Sequence, residues 1–92
     1  MVQSFKDERA RKLMGGLRVV GLVNIEEPAR TRLIRLDSAT SLEDLRALRG
    51  NRLDGLIGTL KGQFSIRIND QYRICFNGEA KGPTDVEITD YR

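Results

Sequence analysis

The stretch FSIRINDQYRICF, Phe64 to Phe76, decides the fold of this chain because its two halves fix their own register. Phe64, Ile66 and Ile68 alternate along one strand, and Tyr72, Ile74 and Phe76 alternate along the next. A two-residue loop at Asn69-Asp70 would set Ile68 against Gln71 and Ile66 against Arg73, mixing apolar and polar residues on one face. A three-residue loop, Asn69-Asp70-Gln71, pairs Ile68 with Tyr72, Ile66 with Ile74 and Phe64 with Phe76, and gives one apolar face for other elements to cover. The same register sets Arg67 opposite Arg73 on the other face, where directly opposed like charges are unfavourable.

Working outward, Leu53 to Gly58, Gln63 to Ile68, Tyr72 to Phe76 and Thr84 to Tyr91 read as four strands, with Gly62 and Asn77 to Pro83 as punctuation. The earlier half has helical spacing. Asp7 is placed to cap a short helix carrying Ala10, Leu13 and Met14 that Gly15-Gly16 stops. Val2 to Phe5 is a short strand candidate, and Leu17 to Val23 an extended link or strand fragment. Asn24-Ile25-Glu26-Glu27 resembles a capping box for a second helix with Ile25, Ala29, Leu33 and Leu36 on one face and Arg30, Arg32 and Arg35 elsewhere. Pro28 is tolerated there because it falls in the first turn. Asp37-Ser38-Ala39-Thr40 ends that helix. Ser41 to Leu45 reads as another capped turn before a loop at Arg49-Gly50-Asn51-Arg52. Helices followed by an antiparallel meander predict an α+β domain with N-terminal helices on one face of the sheet.

Composition narrows the possibilities. The 92 residues predict a single domain, 1–92, with an aliphatic core, since aromatic residues make up 5% and Trp is absent. Sixteen Lys and Arg against thirteen Asp and Glu give +3, and the cations are mostly Arg, which suits bidentate contact with phosphate or carboxylate. Cys75 is the one cysteine, so an internal disulfide is impossible. No apolar run approaches the ~18 residues of a membrane span, and the first residues lack a signal-peptide pattern. A cytoplasmic protein without membrane attachment is expected.

Two readings fit the opposed arginines. Glu87 on the last strand lies between or beside them in a solvated charge cluster, or the uncovered face is a cradle for phosphate oxygens. In the second reading Arg67 and Arg73 hold phosphate oxygens, and Arg49, Arg52 and Lys61 extend the surface along a nucleic-acid backbone.

The residues GNRLDGLIGTLKGQFSIRINDQYRICF, Gly50 to Phe76, with DVEITDY, Asp85 to Tyr91, and QSFKDERARKL, Gln3 to Leu13, resemble the HigB toxins of the RelE/ParE superfamily, in the branch that includes GraT. The resemblance covers nearly the whole chain and is most specific from Ser65 to Ile74. It implies the RelE-like fold, helices on a curved antiparallel sheet. It implies a ribosome-dependent mRNA endonuclease that inhibits translation. It also implies neutralisation by a HigA-type helix-turn-helix antitoxin and, through that complex, binding of operator DNA. The family assigns chemistry to the basic sheet face and to a C-terminal Asp-Tyr-His, which maps onto Asp90, Tyr91 and Arg92; a further family histidine falls near Asp54. The chain has no His, and Arg92, with a pKa above about 12, cannot act as a general base. No metal-ligand spacing is visible, and no cofactor is expected because attack by a ribose 2′-OH requires none. On this reading Asp90 is a weak base or orients one, Arg73 and Arg67 stabilise the phosphorane, Tyr91 stacks on or positions a nucleobase, and Arg92 or Lys61 sits by the leaving oxygen. A ParE-like poison that binds gyrase, and a weakened toxin that only binds antitoxin or ribosome, are the alternatives.

Overall fold

In the computed structural model, which describes residues 1–39, 62–79 and 81–90, the hairpin takes the register its alternation demands. Strand β1, Gln63–Arg67, pairs antiparallel with β2, Tyr72–Glu79, setting Phe64 against Phe76, Ile66 against Ile74 and Arg67 against Arg73. The Ile68 N–H donates to the Tyr72 carbonyl at 2.9 Å, which leaves Asn69-Asp70-Gln71 as the loop. Asn69 Oδ1 closes it by accepting from the N–H groups of Gln71 and Tyr72, both at 2.8 Å, the local side-chain bond that suits Asn to turns.

Strand β3, Gly82–Asp90, adds to the far side of β2 and gives the order β1-β2-β3. The segment expected as punctuation, Asn77 to Pro83, is mostly strand, because Glu79 pairs directly with Gly82 across a tight turn. Gly82 supplies the φ of 134° that this turn requires. Pro83 is accommodated because it belongs to the strand on the sheet's margin, and its carbonyl accepts from the Gln3 N–H at 2.7 Å. Between the Cys75–Glu87 and Asn77–Thr84 pairs the register slips. Asp85, at φ 51°, takes up the extra residue of the bulge. The expected strand at Leu53 to Gly58, the turn at Ser41 to Leu45 and the loop at Arg49 to Arg52 lie outside the described residues.

Helix α1, Glu8–Met14, starts at Asp7, whose carboxylate accepts from the Arg9 N–H at 2.9 Å, and stops at Gly15. Helix α2, Glu26–Ser38, buries Ala29, Leu33 and Leu36, and Ile25 just before it is buried with them. The expected capping box is not formed. A 3₁₀ turn, Val23–Ile25, precedes α2, and the Ile25 N–H bonds to the Leu22 carbonyl at 3.1 Å while the Glu26 N–H bonds to Val23. The turn itself satisfies donors that a cap would serve, and the cap position goes to Ile25, which the core needs. Leu17 to Leu22 is a link that buries Val19 and Leu22. Arg30 fastens the two helices together. It donates from Nε to the Leu13 carbonyl at 2.7 Å and from Nη2 to Leu17 at 3.2 Å, filling acceptors at the C-terminus of α1.

One core joins both layers: Ala10 and Leu13 of α1, the α2 stripe, and Ile66, Ile74, Phe76, Val86 and Ile88 of the sheet. The outer edge of β3 is sealed. Phe5 forms a parallel bridge to Val86, the Val86 N–H donates to Ser4 at 3.1 Å, and the Lys6 N–H donates to Val86 at 3.0 Å. The expected N-terminal strand is thus reduced to a single bridge. Beyond it Asp7 and Arg9 act in place of a strand: Asp7 Oδ2 accepts from the Ile88 N–H at 3.2 Å, and Arg9 Nη2 donates to the Ile88 carbonyl at 3.0 Å. An exposed row of backbone groups is thereby closed.

Candidate nucleic-acid interface

Alternation sends the polar residues of all three strands to the face away from the helices. Arg67, Arg73 and Thr89 form one row across the sheet, and Ser65, Cys75 and Glu87 form the next. All six are half-buried. The opposed arginines do not point at one another. Arg67 turns toward the hairpin tip, where Nη2 bonds Asp70 and Nε donates to the Asn69 carbonyl at 3.3 Å. Arg73 turns the other way along the sheet, and its Nη1 donates to Ser65 Oγ at 3.0 Å.

Glu87 shares this face, diagonal to Arg73, and its ion partner is Lys6 of the N-terminal strap at 3.4 Å. The pairing follows from the strap: the Lys6 N–H bonds the carbonyl of Val86, the residue before Glu87.

Asp90 stands at the same end of the sheet but on the other side of the alternation. It pairs with Tyr72, in the series Val86, Ile88, Asp90 that faces the helices. The side chain is exposed, and Oδ2 accepts from Gln71 Nε2 at 2.9 Å. Arg73 and Asp90 are therefore brought to one corner, Arg73 opposite Thr89 and Asp90 one residue on, without sharing a face. Arg49, Arg52, Lys61, Tyr91, Arg92 and Asp54 lie outside the described residues. Ser65 and Gln71 were not expected at the site. The hairpin register alone sets Ser65 diagonal to Arg73, so it was available; nothing in the sequence marks Gln71 as the partner of Asp90.

Charge is tuned elsewhere on the fold. Burial works against ionising Asp7, but hydrogen bonds from the Arg9 side chain and from the N–H groups of Arg9 and Ile88 outweigh it, holding the carboxyl below its ordinary value. The hydrogen bond to Asp7 raises Arg9 in turn, against the effect of its own burial. Arg32 is pushed down, by burial first and by its neighbour Arg35 second. Among the described residues no group of three or more His, Cys, Asp or Glu is placed to hold a metal ion, and no helix is long and apolar enough to cross a membrane.

A family model described as the RelE-like toxin of the type II toxin-antitoxin system HigB matches residues 4–91. Toxin HigB-1 of Vibrio cholerae serotype O1 (strain ATCC 39315 / El Tor Inaba N16961) is 38% identical over 74 residues, which cover 80% of this chain and 70% of that relative. Among the described residues, two helices on an antiparallel three-stranded sheet agree with the RelE-like fold.

Proposed function

This chain belongs to the RelE-like HigB toxins of type II toxin-antitoxin systems, and from that premise we propose that it is an endoribonuclease that cuts translated mRNA in the ribosomal A site. A toxin of this kind has a cognate antitoxin. On the present reading that antitoxin is a HigA-type helix-turn-helix protein, the complex of the two binds and represses its own operator, and the toxin acts in the cytoplasm.

The observation that carries the reading is the row Arg67–Arg73–Thr89 on the polar face, with both guanidiniums anchored and aimed apart. Attack of a ribose 2′-oxygen on the adjacent phosphorus forms the O2′–P bond and breaks the P–O5′ bond, leaving a cyclic phosphate and a 5′-hydroxyl. The developing phosphorane is dianionic, and rigid cationic donors on strands stabilise it without reorganising during reaction. Arg73 and Arg67 take that role. Asp90, oriented by Gln71, accepts or relays the 2′-proton. Tyr91 stacks on or positions a nucleobase, Arg92 or Lys61 offsets the charge on the leaving oxygen, and a solvent water gives that oxygen the proton that makes it a hydroxyl. Arg49 and Arg52 continue the phosphate track. A carboxylate is a weak base near neutral pH and Arg92 is no base at all, so cleavage is expected to be slow.

The test is ribosome-programmed mRNA cleavage by the parent chain and by Arg92→His, with 5′-end mapping of the products. Slow, ribosome-dependent cleavage that the His variant accelerates supports the reading. Ribosome binding with intact mRNA from both proteins would leave a toxin that only binds, and inhibition of DNA supercoiling with intact mRNA would replace the reading with a ParE-like one.

A further inference from the structure

Arg32 reaches from α2 to the edge of the sheet. Its Nε donates to the Arg67 carbonyl at 2.9 Å and its Nη1 to the Pro28 carbonyl at 3.0 Å. In an antiparallel pair the hydrogen-bonded residues alternate with those whose backbone groups point outward. Ile68 and Tyr72 are hydrogen-bonded, so Arg67, one residue before, turns its carbonyl away from β2. Arg32 therefore grips the edge of β1, an outermost strand among the described residues, at the residue whose own side chain is one of the hairpin arginines of the polar face.

Among the described residues no carboxylate pairs with Arg32, whereas Arg9 has Asp7, Arg11 has Glu8, Arg30 has Glu26 and Arg67 has Asp70. Carbonyl oxygens fix the plane of a guanidinium and leave its full charge. Burial acts against the charge, and Arg35, of the same sign, acts against it as well. A half-buried cation held rigidly and without an anion costs stability that an apolar residue of similar size would not. Its orientation is nonetheless set by two bonds, as a recognition group requires.

We propose that Arg32 binds an RNA phosphate at the rim of β1, carrying the backbone from the Arg67–Arg73 face around the edge of the sheet toward α2. The inference rests on the RNA-cleaving reading above. A phosphate fits better than a carboxylate of a protein partner because Arg32, bonded to the Arg67 backbone at the sheet edge, stands next to the residue whose side chain opens that face.

The experiment measures binding of a single-stranded 2′-O-methyl RNA oligonucleotide, which lacks the attacking hydroxyl, by fluorescence anisotropy over a series of salt concentrations. The parent is compared with Arg32→Gln, Arg32→Lys and Arg73→Gln. Loss of one phosphate contact lowers the slope of log Kd against log salt by about 0.7. Arg32→Gln is expected to lose that amount and to bind several-fold more weakly, and Arg32→Lys to keep the parent slope. If Arg32→Gln matches the parent while Arg73→Gln loses slope, Arg32 is not a phosphate site and the RNA reading stands. If neither variant changes the slope, both ideas fail. Unchanged RNA binding with weakened binding of the cognate antitoxin would assign Arg32 to a partner carboxylate instead and overturn the proposal. Should Arg32→Gln fail to fold, the guanidinium resonance of Arg32 in the parent decides: it shifts on adding the oligonucleotide, or, unmoved at saturation, it contradicts the site.

Discussion

Arg67 and Arg73 occupy one cross-strand position, and their guanidiniums leave it in opposite directions along the sheet, one to Asp70 at the hairpin tip and the other to Ser65. Divergence relieves the repulsion that direct opposition imposes. It also spreads two oriented forks along a single face.

On the proposed function, Ser65 positions Arg73 through the hydrogen bond between them. Ser65→Ala removes the hydrogen bond to Arg73 at a half-buried site, and loss of a hydrogen bond costs about 1 kcal/mol in stability. The expected result is a drop in cleavage of roughly tenfold with unchanged ribosome binding, measured as single-turnover rates on programmed ribosomes. Ser65→Thr, which keeps the hydroxyl, is expected to retain most of the parent rate.

Asp7 contributes to the acid limb of stability. Its carboxyl is depressed below the ordinary 3.8 in the folded state, so its contribution is fully present above that value and is lost as pH falls through the lower folded one. Urea unfolding of the parent and Asp7→Asn is expected to show a stability gap at pH 7 that persists to about pH 4 and closes below it. A gap independent of pH would remove the carboxylate's charge from the explanation.

Arg30 supplies the acceptors at the end of α1 with donors, and its fork matters as much as its charge. Arg30→Ala is expected to cost about 1–3 kcal/mol. Arg30→Lys is expected to recover little, because an ammonium cannot span both carbonyls and Glu26 in the same plane.

Gly82→Ala tests the tight β2–β3 turn. The position has φ 134°, and a Cβ there would lie 2.0 Å from the Met1 carbonyl oxygen. A loss of about 1–3 kcal/mol is expected, seen as a lower unfolding midpoint with the core helices unaltered by circular dichroism.

Local pattern carried much of this fold. The hairpin register was legible because a single loop length keeps Phe64, Ile66 and Ile68 with Tyr72, Ile74 and Phe76, and both helix cores were legible from their spacing. What escaped is nonlocal or depends on geometry beyond alternation. Phe5 meets Val86 across most of the chain, and no local periodicity encodes that pairing. Asp7 was legible as a cap, but its second bond to the Ile88 N–H was not. The 3₁₀ turn that replaces the capping box depends on Ile25 being drawn into the core. At the site, the opposed arginines and Ser65 follow from register. The position of Asp90 follows too, since it continues the inward series of Val86 and Ile88. The carboxylate's partner Gln71 and the hook from Arg32 to Arg67 arise from side chains crossing between elements, which sequence spacing does not specify.

The most direct measurement is the single-turnover rate of mRNA cleavage on programmed ribosomes by Arg73→Ala beside the parent, with unfolding free energies measured for both. A rate lower by about 10²–10³-fold, the usual cost of one charge-stabilising donor, with stability changed by no more than about 1 kcal/mol, is the expected result. Cleavage by Arg73→Ala as fast as the parent would contradict the assignment of the polar sheet face to phosphate chemistry.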